Sequence, residues 1–277
     1  MGLRINTNIA SQTVQKNLRE VSSQSDTSLE RLSSGKRVTK ASDDAAGLAI
    51  ATKLEAQTRG LRQATRNAND GISLVQTAEG GLNESANILT RLRELSIQAS
   101  SDTVGDAERG YLDQEFQQLV SEVDRISQST TFNGTPLLNG EGNGTLDFQV
   151  GAFDGEENRI SFDSSKADAS ASSLGISSTG VAEKGDAQES IKQIDEAIDK
   201  VSGQRATLGS VQSRLNSTIS NLEVQTLNQD AARSVIQDAD IAHETSKLAS
   251  LNVVKNAGLS TLSQANALPN SALRLLN

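Results

Sequence analysis

Residues 5–32 carry apolar side chains at intervals of mostly three or four positions, with polar residues between them. This spacing predicts an amphipathic helix with one apolar stripe. The stripe consists of Ile5, Ile9, Val14, Leu18, Val21, Leu29 and Leu32. Residues 33–44 break the pattern and predict a non-helical connector. Asp43 or Asp44 would cap the next helix, because a carboxylate accepts hydrogen bonds from the free amides of a first turn.

A longer pattern extends from residue 45 to about residue 99. Apolar residues recur at every seventh position with a second apolar set between them, which is typical of a coiled-coil seam. The two sets are Leu54, Leu61, Ala68, Val75, Leu82 and Leu89, and Ile50, Ala64, Ile72, Ala78, Ala86 and Leu92. The same stretch contains Gly60, Gly71, Gly80 and Gly81. Each glycine weakens a helix by about 1 kcal/mol relative to alanine, so this helix needs packing partners.

The middle of the chain changes from helical to strand periodicity. After a polar break at residues 100–105, apolar steps of three and four from Leu112 to Ile126 predict a third helix. From residue 131 to about residue 185, Gly, Asn, Asp and Ser dominate. Residues 146–150 and 159–163 alternate apolar and polar side chains, which predicts a small β-hairpin.

The hydroxyl-rich part of this middle segment is predicted to be exposed. Its serines and threonines could then accept O-linked sugars. The examples are Ser170, Ser172, Ser173 and Thr179.

Helical periodicity resumes at Gln188 and continues close to the end of the chain. The apolar residues of one heptad frame are Ile191, Ile194, Ile198, Val201, Leu208, Leu215, Ile219 and Leu222. Polar residues in the same frame would fix its register against the N-terminal helices. A last apolar stripe and tail contain Leu248, Leu251, Leu259, Leu262, Leu273, Leu275 and Leu276. Exposed leucines of this kind usually await a partner.

The order of these patterns predicts a mainly α fold. We expect an elongated antiparallel coiled-coil helix bundle, built from the N- and C-terminal segments, with a small β-hairpin region in the middle. The predicted parts are residues 1–32 with 234–277, residues 33–44, residues 45–130 with 186–233, and residues 131–185.

Composition narrows the classes of function. Aromatic residues make up 2% of the 277 residues and cysteine is absent, so the core must be aliphatic without disulfides or thiolate metal sites. The net charge is −9 and the Lys and Arg residues are scattered, so we expect no nucleic-acid partner. We also expect no membrane insertion and no cleaved signal peptide, because neither apolar pattern is visible.

We expect neither an enzyme nor a metal or cofactor site. The single histidine, His243, lies near several carboxylates but lacks convergent ligands. Asp238 and Asp240 fit a helix start better than an acid–base pair. The glycine-rich segments have no phosphate-binding pattern. A self-assembling structural subunit and a non-polymerising coiled-coil interaction module are the two remaining classes.

Several short motifs together resemble a known family. Residues 32–38 read Leu-Ser-Ser-Gly-Lys-Arg-Val and residues 41–50 read Ala-Ser-Asp-Asp-Ala-Ala-Gly-Leu-Ala-Ile. Both closely resemble the N-terminal signature of bacterial flagellins. Residues 3–8, 131–134, 263–266 and 273–276 also resemble that family, in the family's order along the chain.

The resemblance implies a subunit that polymerises into the extracellular bacterial flagellar filament for motility. The terminal helices, residues 1–32 with 234–277, would form the inner tube, and the heptad helices would form a surrounding spoke domain. Implied partners are further copies of the chain, the flagellar type III export apparatus, an export chaperone, and the filament cap and junction proteins. The C-terminal leucines would serve both chaperone binding and polymerisation. The large outer domains of many flagellins look absent.

The resemblance also implies recognition by the Toll-like receptor that senses flagellin. The matching positions are Arg91, Leu95 and Glu115, and the spacing of Arg91 and Leu95 places both on one helix face. Within the same architecture, an adaptor that joins hook to filament is the alternative function.

Overall fold

The structure is a computed structural model that describes residues 7–140 and 144–274, with side chains described as far as Ala267. The helices are α1 (Ile9–Ser34), α2 (Ala45–Ala99), α3 (Asp106–Ser129), α4 (Ala171–Leu174), α5 (Lys184–Gln237) and α6 (Ile241–Arg274). The strands are β1 (Thr131–Phe132), β2 (Thr135–Pro136), β3 (Thr145–Gln149) and β4 (Arg159–Asp163). The predicted mainly α fold is confirmed, and the predicted hairpin is the antiparallel pair β3–β4, within one residue of its expected position.

The chain divides into two compact units. The first unit consists of Met1–Ala56 and Asn228–Asn277, and the second consists of Gln57–Leu227. Helices α2 and α5 contribute residues to both units.

In the second unit, α2 and α5 are antiparallel. Arg93 of α2 forms an ion pair with Asp195 of α5, with 2.6 Å between Nε and Oδ1. Near the start of the α2 segment in this unit, Leu61 and Ala64 instead cluster with Leu222 of α5. Later residues of α5 thus meet earlier residues of α2, as the two predicted seams require.

The core of this unit is aliphatic, as the composition predicts. The predicted seam residues of α2 that are buried are Leu61, Ala64, Ala68, Val75, Ala78, Leu82, Leu89 and Leu92. Those of α5 are Ile194, Val201, Leu208, Leu215 and Leu222. Among the largest described side chains with less than 2% exposure, only Phe116 of α3 is aromatic. Heptad spacing therefore identified most of the core residues that α2 and α5 contribute to this unit.

Three glycines of α2 make room for the middle segment. A Cβ atom on Gly60 would lie 3.1 Å from the side chain of Ala152, and one on Gly71 would lie 3.1 Å from the Phe148 ring. At Gly81 the Cβ would come within 2.7 Å of the Leu138 side chain. Real Cβ atoms avoid a contact of 2.7 Å, whereas one of 3.1 Å requires the neighbour to shift by a few tenths of an ångström, so the close approach of the middle segment depends most on Gly81.

The segment after the hairpin packs into the core, contrary to its predicted exposure. Thr179 is 5% exposed, and its hydroxyl donates a hydrogen bond to the Ile176 carbonyl. The Gln117 side chain of α3 donates to the Thr179 carbonyl. The buried apolar side chains of this segment are Ala169, Ala171, Leu174, Ile176 and Val181. Thr179 is therefore not an exposed acceptor for sugars and Ser170 is half-buried, whereas Ser172 and Ser173 are exposed as predicted.

Arg109 closes the turn between α2 and α3. Its side chain is nearly buried, and its guanidinium donates hydrogen bonds to the carbonyls of Ala99 and Ser101 and to the Asp106 carboxylate. A cation at this position satisfies carbonyls left without partners at the end of α2. No periodic pattern in the sequence indicates this role.

In the first unit, α1 packs against α6 through small and polar residues. The Asn8 side chain donates to the Ala265 carbonyl, and the Ser11 hydroxyl donates to the Asn266 side chain, both at 2.8 Å. Further along, Leu18 lies 2.7 Å from the Cβ position of Gly258. The two helices are therefore antiparallel and approach closely where α6 has no side chain.

The predicted connector between α1 and α2 is ordered by pairing with the link between α5 and α6. Gly35 ends α1 with φ at 68°, a left-handed conformation that favours glycine. The Arg37 amide then donates to the Gln237 carbonyl, and the Ala239 amide donates to the Gly35 carbonyl. Asp44 caps α2 by accepting from the Gly47 amide at 2.8 Å, so of the two predicted caps Asp44 is the one used.

Candidate assembly and recognition surfaces

The helices of the first unit leave large apolar side chains exposed. In α1 these are Ile9 and Leu29, and in α6 they are Ile241, Val253, Val254 and Leu259. The exposed fraction reaches 68% at Val253 and 52% at Leu259. The buried side chains of α1 are instead Ser11, Ser25 and Ser28. The α1–α6 contact thus buries small polar residues, partly buries larger side chains such as Leu18 and Leu251, and leaves these six large apolar side chains exposed.

The structure places the predicted C-terminal leucines differently from one another. Leu259 is exposed, whereas Leu248, Leu251 and Leu262 are half-buried. Leu273 belongs to α6, but its side chain lies outside the described residues, as do Leu275 and Leu276 altogether. The described part of the stripe therefore combines packing inside the unit with apolar surface outside it.

Arg91 and Glu115 form the centre of a charged cluster on α2 and α3. The Arg91 guanidinium donates to Glu115 at 2.9 Å and to Glu94 at 3.0 Å, and both pairs are substantially exposed. The hydrogen bonds that the guanidinium donates to Glu115 and Glu94 raise the pKa of Arg91 above its usual value. The cluster presents a fixed cation between two carboxylates at the surface.

Leu95, four residues further along α2 than Arg91, is buried and does not belong to this exposed cluster. Its side chain is 1% exposed and belongs to the core that α2 shares with α3 and α5. The predicted pair of a charged and an apolar anchor is therefore split in the subunit. Arg91 and Glu115 are accessible, whereas Leu95 holds the helix that carries Arg91. Helical spacing placed Leu95 near Arg91 but did not reveal its depth.

The described residues contain no group of three or more His, Asp or Glu side chains that could hold a metal ion. His243 is exposed, and Asp240 caps α6 by accepting from the amides of Ala242 and His243. In the part of the chain that the structure describes, no helix is long and apolar enough to cross a membrane.

A mainly helical subunit whose paired end segments expose apolar side chains has the features of a structural protein that assembles with further copies of itself. The family comparisons give the same class. Residues 5–143 match the bacterial flagellin N-terminal helical region, and residues 191–276 match the bacterial flagellin C-terminal helical region. The chain belongs to the bacterial flagellin family, and it is a structural subunit of the flagellar filament, which is extracellular.

Similarity to individual flagellins covers the full chain. It is 43% identical to a flagellin of Halalkalibacterium halodurans, covering 98% of this chain and 99% of the relative. The chain is 39% identical to a Bacillus subtilis flagellin, and the alignment covers 99% of this chain and 100% of that relative. Flagellin A of Vibrio cholerae is 33% identical but aligns over 379 positions, against the 277 residues here. This chain is therefore a short form that lacks a large middle domain.

Solved structures show the same fold. A crystal structure of Bacillus cereus flagellin matches with a TM-score of 0.51 and 30% identity, covering 61% of this chain and 94% of that chain. A putative flagellar hook-associated protein of Vibrio parahaemolyticus matches with a TM-score of 0.58 but only 14% identity. The match covers 70% of this chain and 99% of that chain. The second match concerns the fold alone, so the sequence relatives favour a filament subunit over a junction adaptor.

Proposed function

We propose that the terminal helices of the first unit supply the inner tube of the filament and that the second unit, with the adjoining turns of α2 and α5, forms the spoke. In residue numbers, 1–32 with 234–277 form the tube, 33–44 connect, 45–130 with 186–233 form the helical spoke, and 131–185 its β-hairpin part. The observation that carries this assignment is the exposed apolar surface of α1 and α6. Surface of that kind is stabilised when neighbouring copies cover it, at about 25 cal/mol per Å² of apolar area.

Single cysteines test this assignment without interference, because the chain has none of its own. We expect Leu259→Cys to react readily with a maleimide in the monomer and to become protected after polymerisation. The physical reason is that residue 259 is half exposed in the subunit and would be covered in the tube. The measurement is the labelling rate by mass spectrometry before and after polymerisation.

The matched control is Ser177→Cys, at an exposed position in the second unit. We expect it to label at similar rates in monomer and filament. Equal labelling of Leu259→Cys in the two states would remove α6 from the tube.

A second proposal concerns recognition by the innate immune receptor for flagellin. Arg91 and Glu115 would contact the receptor directly, because both are exposed and joined by a hydrogen-bonded ion pair that fixes the guanidinium. Leu95 would act through its packing, since it is buried about one helical turn from Arg91 on α2.

We expect Arg91→Ala to weaken receptor binding by about tenfold, because an arginine anchored in a central contact contributes about 1.4 kcal/mol or more. Leu95→Met keeps the core volume, so it should retain most of the affinity. The measurement is surface plasmon resonance with the receptor ectodomain and monomeric chain.

Arg125→Ala is the control, because Arg125 makes a similar exposed pair with Glu122 on α3. Affinity should not change in this variant. An Arg91→Ala chain that binds as tightly as the native chain would eliminate the receptor proposal at these positions.

Before export, the C-terminal leucines would be masked by an export chaperone that delivers the unfolded chain to the flagellar export apparatus. The same leucines would thus serve both chaperone binding and polymerisation. This is supported by the exposure of Leu259 and the partial exposure of Leu251 and Leu262, since a helix with apolar residues on several faces can bind a groove. The cap and junction proteins would meet the same surfaces at the two ends of the filament.

A further inference from the structure

The solvent-facing side of the last turns of α5 is apolar. It carries four side chains at spacings of three and four, here named the α5 stripe: Val224, Leu227, Ala231 and Val235. All four are exposed, and the exposed fraction reaches 70% at Leu227 and 82% at Val235. At about 100° per residue, the buried Leu222 lies on the opposite side of the helix, where α5 packs on α2. The stripe is therefore apolar surface outside the core of the subunit.

The charges of this part of α5 lie away from the stripe. Between positions 217 and 235, no charged residue falls within about 60° of the stripe's centre. Glu223 flanks the stripe at its N-terminal end and is exposed. In the described part of the chain, Glu223 forms no ion pair. The surface thus offers an uncharged strip with one available carboxylate beside it.

The first turns of α2 present a complementary surface. Ala46, Ala49 and Ile50 are exposed on one side of the helix and are here named the α2 shelf. Lys53 follows on the same side, is exposed, and has no ion pair among the residues that the structure describes. The alanines allow another helix to approach closely, and the lysine adds a cation at one end of the shelf.

We infer that the α5 stripe of one copy packs on the α2 shelf of a neighbouring copy in the filament. The chain is a subunit of a polymer, so further copies are the partners that can cover an exposed apolar strip. The free carboxylate of Glu223 and the free cation of Lys53 make the two surfaces complementary in charge. The inference rests on polymerisation of the chain and not on which helices form the inner tube.

The spacing of the two surfaces defines a register. Helices α2 and α5 are antiparallel in the subunit, and copies related by a rotation and a shift along one axis keep that direction when both helices follow the axis. Ile50 beside Leu227 then brings Ala46 beside Ala231, because both steps are four residues in opposite directions. A large side chain meets a large one, and an alanine meets an alanine, which allows close packing along the whole contact.

The same register joins the two free charges. Lys53 lies three residues beyond Ile50 on α2, and Glu223 lies four residues before Leu227 on α5, so the two charges come to the same end of the contact. Each copy carries both surfaces, so it can pack its stripe on one neighbour and receive the stripe of another on its shelf. A contact between two different surfaces does not close on itself, as a helical polymer requires.

Disulfide trapping between copies tests the contact, because the native chain has no cysteine. One full-length variant carries Ala46→Cys and a second carries Ala231→Cys, and both change a small exposed residue. We expect mild oxidation of filaments from the equimolar mixture to give covalent dimers, because packed alanines bring Cα atoms within the about 4–7 Å that a disulfide spans. The measurement is non-reducing gel electrophoresis of sedimented filaments.

The matched control replaces Ala46→Cys with Ala56→Cys in the same mixture. Ala56 is also exposed on α2, but ten residues at about 1.5 Å each place it about 15 Å along the helix, beyond the span of a disulfide. This mixture, and the unpolymerised Ala46→Cys and Ala231→Cys mixture, should give few dimers. Absence of dimers from the test filaments, or an equal yield from the control filaments, would overturn the inference.

Exchange of the two charges is an independent test that needs no cysteine. We expect Lys53→Glu alone and Glu223→Lys alone to raise the critical concentration for polymerisation about fivefold, because like charges then meet between copies. A chain that carries both substitutions should polymerise close to the native critical concentration, since each contact again joins a cation and a carboxylate. The measurement is sedimentation at constant salt.

Circular dichroism checks that all of these variants fold. Native behaviour of both single charge variants, or no recovery in the double variant, would contradict the proposed register. Failure of the native chain itself to polymerise would instead contradict the assembly on which the inference rests.

Discussion

Replacing Val253 and Leu259 with aspartate should abolish polymerisation and leave the second unit folded. Both side chains are exposed in the subunit, so the aspartates are hydrated in the monomer and remove little packing. In a filament the same positions would be covered by neighbouring copies. The expected result is no sedimenting filament at concentrations where the native chain polymerises fully.

The size of this effect follows from burial of charge. An unpaired carboxylate enclosed in an apolar contact costs about 3 kcal/mol or more, and one decade in critical concentration corresponds to about 1.4 kcal/mol. Two such groups in every copy would raise the critical concentration by more than about ten-thousandfold. The measurement is sedimentation together with electron microscopy.

Two controls define the interpretation. A chain with Val253→Ile and Leu259→Met keeps the positions apolar and should still form filaments. The aspartate variant should unfold at the native denaturant midpoint in its second unit, which contains neither position. Filaments formed by the aspartate variant would show that these faces remain exposed after assembly.

Helical parts of the fold were predictable because their signal is periodic. Leu82 and Leu89 lie seven residues apart and are both fully buried, as an apolar seam facing a partner helix requires. The same reasoning placed the connector, since the Ser-Ser-Gly interruption of the first stripe coincides with a left-handed Gly35. Local spacing was sufficient at these places.

The segment after the hairpin was not predictable from composition. Thr179 and Ile176 lie in a stretch rich in Ser and Gly that resembles a solvated loop, yet both are buried. Their burial depends on α3, where Gln117 donates a hydrogen bond to the Thr179 carbonyl and Asp113 accepts one from the Val181 amide. Contacts between residues more than sixty positions apart leave no periodic signal in one sequence.

The candidate surfaces were predictable in location but not in depth. Helical spacing put Arg91 and Leu95 on neighbouring positions, and the ion pair to Glu115 joins the two predicted charges. Spacing alone cannot distinguish a surface position from one at the edge of a buried seam. Leu95 is such an edge position, and its side chain is buried. Of the exposed apolar residues of α6, Leu259 belongs to the predicted stripe, whereas Ile241, Val253 and Val254 lie outside it.

The glycines of α2 show the same limitation and lead to a sharp test. From the sequence, Gly80 and Gly81 are equivalent weak points of a helix. In the structure a Cβ atom on Gly80 meets nothing within 4 Å, whereas one on Gly81 comes within 2.7 Å of both Leu138 and Thr130. Leu138 is fully buried and has little room to move.

We therefore expect Gly81→Val to lower the free energy of unfolding by about 2 kcal/mol, within the range of about 1–3 kcal/mol for overpacked cores. Gly80→Val should leave it unchanged or raise it by a few tenths of a kcal/mol, because valine has a slightly better helix propensity than glycine. The measurement is urea denaturation of the two variants, with unfolding monitored by circular dichroism.

The two variants make the same chemical change at adjacent positions of one helix, so helix propensity and denatured-chain entropy cancel in their difference. What remains is the contact of α2 with Leu138 and Thr130. Equal stability of Gly80→Val and Gly81→Val would mean that the middle segment is not held against α2 at this point. A difference of about 2 kcal/mol would show that Gly81 is required for the close approach of that segment and not for flexibility of the helix.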